Sequence, residues 1–72
     1  MDIKIKIGNR IAALRKQKGL SQEALGFESN VNRTYINDLE HARKNVSIVV
    51  LERIIKGLGT TFSEFFKEDI DG

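Results

Sequence analysis

The 72-residue chain contains no cysteine and no proline. Without cysteine there are no disulfides and no thiolate metal ligands, a composition that suits the cytoplasm. Without proline nothing interrupts a helix from within. No apolar run approaches the ~20 residues that cross a bilayer, so no membrane partner is expected. The opening MDIKIKIGNR lacks the apolar region and small-residue cleavage site of a secretory signal, and a cytoplasmic location is expected. Histidine occurs once, at position 41, with no second ligand to build a metal site around it. It reads as a surface residue near a helix end. There is no glycine-rich phosphate loop, and a chain this short leaves little room for a pocket of ~300 Å³. Asp38 and Glu40 are two residues apart on one helix and point to different faces; they read as solvated or ion-paired. The chain is therefore not expected to be an enzyme, and neither a cofactor, a metal nor a small-molecule ligand is expected.

Charge is distributed unevenly. Residues 1–18 hold six Lys/Arg against one Asp, residues 19–58 hold five charges of each sign, and residues 59–72 hold one Lys against four acids. A basic first segment and an acidic tail suit a domain with one face toward a polyanion; an ordinary charged surface gives the same counts. The length allows one domain, 1–72, of marginal stability, for which oligomerisation is one way to bury more area.

Periodicity is helical along most of the chain. Ile7, Ile11 and Leu14 mark the apolar stripe of a first helix, which closes on Lys16, Lys18 and Gly19 with basic residues in the last turn and glycine beyond it. Ile3, Ile5 and Ile7 alternate as a strand would. No second segment alternates strongly enough to pair with them, so they read as the frayed start of that helix. Ser21, Asn32, Ser47 and Thr61 each read as an N-cap whose side-chain oxygen accepts from orphan N–H groups. Leu20 with Leu25, Val31 with Ile36, and Val46 with Leu51 have hydrophobic-staple spacing around the first three, and Thr61 with Glu64 has capping-box spacing. The reading is all-α: a compact five-helix bundle with helices near 3–18, 22–29, 33–41, 48–58 and 62–68. Its expected core holds Ile11, Leu14, Leu20, Leu25, Val31, Ile36, Leu39, Ile48, Leu51, Ile54, Ile55, Leu58, Phe62 and Phe65.

Only Asn30, Val31 and Asn32 separate the second helix from the third, which forces a sharp turn. Asn30 suits the left-handed conformation such a turn needs, because a short polar side chain tolerates it. Gly26 lies inside a helix, where it costs ~1 kcal/mol relative to Ala. A close crossing of the third helix would explain it; a tolerated glycine on an exposed face is the alternative.

These features carry a resemblance. The segments LSQEAL, RTYINDLE, SIVVLERIIKGLG and SEFF, preceded by IGNRIAALRKQK, resemble the helix-turn-helix family of the phage Cro and CI repressors over residues 7–66. The fold this implies is the lambda-repressor-like DNA-binding domain, with the motif at about 21–40 and the helices of about 47–68 serving core and dimer. NRTYI followed by ARKN and KGL resembles, more narrowly, the controller proteins of bacterial restriction–modification systems. That implies control of restriction–modification genes and of the protein's own promoter. The family usually has glycine at the position of Asn30 and alanine at that of Gly26. It often has proline at the position of Val46, and many members have polar residues where this chain has Val49 and Val50.

The third helix of such a motif enters the major groove with its N-terminal residues toward the base edges. On this reading Arg33, Thr34 and Asn37 contact bases: Arg33 bidentate to guanine, Thr34 through hydroxyl and methyl, Asn37 toward adenine. Gln22, at the start of the second helix where unpaired N–H groups attract phosphate, is assigned a backbone contact. Tyr35, Arg43, Lys44 and Asn45 are assigned the same role, although Tyr35 could instead fill a gap between the third and fourth helices, and Asn45 could simply form a turn. Arg10 and Arg15 are weaker candidates. Val46, Val49, Val50, Phe66 and Ile70 exceed what one small core can hide and mark a dimer interface, with some completing the core as the alternative. The expected partners are double-stranded DNA and a second copy of the chain. The expected function is a sequence-specific transcriptional regulator, acting as a homodimer on palindromic half-sites. An antitoxin-type interaction module that binds DNA secondarily is the competing reading.

Overall fold

The computed structural model describes residues 2–67, and the backbone there forms five α-helices: α1 (Ile3–Gln17), α2 (Gln22–Ser29), α3 (Arg33–Glu40), α4 (Ile48–Gly57) and α5 (Phe62–Phe66). Each start is set by a side-chain oxygen. Ser21 accepts from the Ala24 N–H, Asn32 from Thr34, Ser47 from Val50 and Thr61 from Glu64, at 2.7–3.1 Å. In the first position Asp2 caps α1 by accepting from the Lys4 N–H at 2.8 Å. The alternating isoleucines are thus a capped helical turn rather than a frayed one, with Ile3 and Ile5 outward and Ile7 half-buried. The Thr61–Glu64 box is one-sided: the Glu64 carboxylate pairs with Lys67 instead.

Four helices end in the left-handed region. After α1 and α4 the residue there is glycine, Gly19 and Gly59, each at φ 72°. After α2 it is Asn30 (φ 57°, ψ 45°), as the turn requires, with the Val31 N–H closing onto the Gly26 carbonyl at 2.9 Å. After α3 it is Ala42, also at φ 57°. A Cβ on Gly26 would lie 2.5 Å from the Val31 carbonyl oxygen and 3.4 Å from the Arg33 nitrogen. The turn backbone at Val31 therefore lies against α2 at Gly26, and a Cβ there would require the turn to shift.

Ile11, Leu25, Ile36, Leu39, Ile54, Ile55, Leu58 and Phe65 are buried almost completely, with Leu14 and Leu51 close behind. Leu20, Val31 and Val46 lie half-buried against this core, as staples do. Two expected core residues are outside it: Ile48 is 74% exposed and Phe62 41%. Both open their helices. Cα–Cβ bonds tilt toward the helix N-terminus, so a first-turn side chain leans past the end of the helix and away from what the later turns bury. No described helix is long and apolar enough to cross a membrane.

Candidate nucleic-acid interface

The tight turn at Asn30 brings the N-terminus of α3 to the surface beside α2. Arg33 and Thr34 are exposed there, and the first turn of α3 carries no acidic side chain. Among the described residues no ion pair occupies the Arg33 guanidinium. It stands at a helix end whose orphan N–H groups and dipole favour an anion.

One turn on, Asn37 is half-buried and engaged. Its Nδ2 donates to Gln22 Oε1 at 3.1 Å, and its Oδ1 accepts from Arg43 Nη1 at 3.2 Å. Gln22 in turn donates from Nε2 to Glu40 Oε1 at 3.0 Å. The sequence-assigned base and backbone residues Asn37, Gln22 and Arg43 thus form one hydrogen-bonded chain across the α2–α3 face. Arg43 and Lys44 are more than half exposed and flank Asp38, at 3.2 and 4.0 Å. Asp38 and Glu40 are both ion-paired, and only Glu40 is taken out of solvent. Tyr35 is half-buried against the core and its hydroxyl donates to the Asn45 carbonyl at 3.1 Å. It fills the gap that was its alternative role and ties α3 to the loop before α4. His41 is the exposed C-cap of α3.

The chain is anchored by an ion pair that sequence reading did not find. Arg15 Nε donates to Glu40 Oε2 at 2.7 Å and Nη2 to Oε1 at 3.0 Å, with side chains 12% and 5% exposed. Burial by itself pushes the Glu40 carboxyl up. The hydrogen bonds from Arg15 and Gln22 and the charges of Arg15 and Lys16 outweigh it and hold the group below the ordinary carboxylate range. The same hydrogen bond raises Arg15 above its usual value, against a smaller opposing effect of burial. Arg15 also donates to the Leu20 carbonyl at 2.9 Å, and Arg10 donates to the Phe65 and Glu64 carbonyls at 2.6 and 2.8 Å. Both arginines thus bind internal acceptors. Arg10 closes the last turn of α5, where carbonyls lack partners.

On α4 and α5, Val49 is 57% exposed, Phe66 45% and Ile48 74%. Val46 and Val50 are half-buried and pack against the core, so they serve the fold as well as any interface. Ile70 lies outside the described residues. The Phe66 ring meets buried Phe65 edge-on, with centroids 4.9 Å apart at 76°.

An α2–turn–α3 unit with an unobstructed basic residue at the head of α3, mounted on a five-helix core, defines a helix-turn-helix domain. The sequence agrees: residues 11–65 match the helix-turn-helix family. The chain is 47% identical over 68 residues to the control protein C.MunI of Mycoplasma sp, covering 93% of this chain and 92% of that protein. It is 41% identical over 59 residues to the control protein C.BamHI of Bacillus amyloliquefaciens, covering 81% and 73%. The restriction–modification controller protein C.Esp1396I, solved as a tetramer with its natural 35-base-pair operator, superposes with a TM-score of 0.89 at 37% identity, covering 93% of this chain and 88% of that one. The chain belongs to the helix-turn-helix family, among the controller proteins of restriction–modification systems.

Proposed function

We propose that this protein is a transcriptional regulator that binds operator DNA as a homodimer and controls restriction–modification genes, its own promoter included. The observation that carries the reading is the exposed Arg33, which no ion pair among the described residues occupies, with Thr34 at the head of α3. Arg33, Thr34 and Asn37 read bases in the major groove, and Gln22, Tyr35, Arg43, Lys44 and Asn45 line the phosphate track. For Tyr35 and Asn45 this role is shared with the hydrogen bond that joins them. The relative C.Esp1396I assembled on its operator supports the same use of this fold. Val49 and Phe66 pair with a second copy, with Val46, Val50 and the exposed Ile48 completing the surface. The protein acts in the cytoplasm, where its DNA lies, and performs no catalysis. No observation favours a toxin-neutralising module.

Selection from a random-sequence duplex library tests the reading. A palindromic site with half-site centres about one helical turn (~34 Å) apart is expected. Enrichment of no sequence, or of a lone half-site, would refute it.

A further inference from the structure

We propose that Glu40 is a positioning residue for DNA reading: it fixes, through Gln22, which end of the Asn37 amide faces outward. The proposal rests on Asn37 being a base reader.

Donor and acceptor capacity sets the direction of the hydrogen-bonded chain. A guanidinium only donates and a carboxylate only accepts, whereas an amide does both and can be turned end for end. Glu40 is held by Arg15 at both oxygens, and its Oε1 also receives Gln22 Nε2. A carboxylate oxygen cannot donate, so Gln22 must turn its NH2 inward. That leaves Gln22 Oε1 toward α3, where it takes Asn37 Nδ2. Asn37 Oδ1 is then left for Arg43 Nη1, another group that only donates. Carboxylate at one end and guanidinium at the other thus enforce the same direction. Turning either amide over would set a carbonyl oxygen against a carboxylate, or an NH2 against a guanidinium. Asn37 therefore meets the groove with one amide orientation already selected. The orientation decides whether it complements a base edge, because bases differ in the order of their donors and acceptors. Glu40 touches no base; it acts from 5% exposure, one turn beyond Asn37.

Glu40→Gln keeps the size and, at the cost of one bond from Arg15, lets the inner end of the chain donate as well as accept, so that only the exposed Arg43 still enforces the direction. The library selection is repeated with Glu40→Gln, Arg15→Gln and Asn37→Ala, below their melting temperatures. Asn37→Ala identifies the base pair that Asn37 reads. Glu40→Gln is expected to weaken the base preference there by about ten-fold. Arg15→Gln breaks the same ion pair and lowers the melting temperature, but leaves Glu40 an acceptor, so the preference stays. An unchanged preference in Glu40→Gln, or the same change in both variants, overturns the proposal.

A double-mutant cycle in the free protein separates the proposal from the DNA reading. Asn37→Asp sets an acceptor against Gln22 Oε1 and lowers the melting temperature. Combined with Glu40→Gln, which turns the Gln22 NH2 toward it, the double variant should melt higher than the two single shifts add up to. Strict additivity overturns the chain. If Asn37→Ala changes no base preference while the cycle shows coupling, the base-reading role fails and the proposal's DNA consequence with it. Should Glu40→Gln not fold, trans-hydrogen-bond N–C′ couplings in the wild type decide. Gln22 Nε2 to the Glu40 carboxylate and Asn37 Nδ2 to the Gln22 carbonyl are expected, and the opposite pairing refutes the chain.

Discussion

On the α2–α3 face the polar side chains hold one another. Gln22, Asn37 and Arg43 are joined in sequence to the Arg15–Glu40 pair, and Arg33 and Thr34 stand exposed at the head of α3. On the α4–α5 side Ile48, Val49, Phe62 and Phe66 stand exposed, with rotamers that nothing polar fixes. The difference reflects what each face must recognise. A base edge is read by direction, so its partner gains from amides ordered before contact, which lowers the entropy lost on binding. A second protein copy can be recognised by apolar area, which is non-directional and contributes roughly 25 cal/mol per Å² removed from water.

The largest effect should follow from breaking the anchor of the ordered face. Arg15→Ala leaves the Glu40 carboxylate buried without its ion-pair partner, a change that costs about 3–5 kcal/mol, measurable by urea denaturation. The same pair makes stability depend on pH in a fixed sense. Glu40 ionises more readily folded than unfolded, so its stabilisation is present in full above the ordinary carboxylate range and is lost as pH falls through its depressed folded-state value. Melts between neutral and acid pH should show that loss, and Arg15→Ala should flatten it.

On the apolar side, Val49→Asp should leave folding nearly intact, because Val49 is exposed in the single chain, and should give a monomer by sedimentation. Burying its carboxylate at an apolar interface costs at least about 2 kcal/mol. A dimer in this variant would move the pairing surface elsewhere. Val50→Asp is the poorer test, since Val50 also packs against the core. The smallest effect is local. Ala42 holds the left-handed region at the end of α3, a conformation that costs an L-residue about 1–2 kcal/mol. Ala42→Gly should raise the melting temperature by a few degrees, offset in part by glycine's greater unfolded freedom.

What was legible in the sequence was local. Ser21, Asn32, Ser47 and Thr61 set helix starts through bonds spanning two or three residues, and a cap followed by its apolar stripe can be read from one segment. Asn30 was legible because few residue types tolerate its conformation; Ala42 was not, because alanine ordinarily avoids it. Arg15 with Glu40 is separated by 25 residues and Arg10 with the α5 carbonyls by 54 and 55. Nothing in their spacing distinguishes them from solvated surface charges. Of the assigned site, the resemblance supplied the positions on α3, but the chain that links Gln22, Asn37 and Arg43 required the packing of α1 against α3.

The central claim is that the head of α3 reads sequence while its flanks only hold the duplex. Binding of wild type, Arg33→Ala and Arg43→Ala to the selected operator and to a scrambled duplex of equal length, at one salt concentration, tests it most directly. Arg33→Ala should lose about 1–3 kcal/mol on the operator and far less on the scrambled duplex. Arg43→Ala should weaken both to a similar degree, because Glu40 acting through Gln22 still fixes the Asn37 amide. An equal loss on both duplexes for Arg33→Ala would contradict the account.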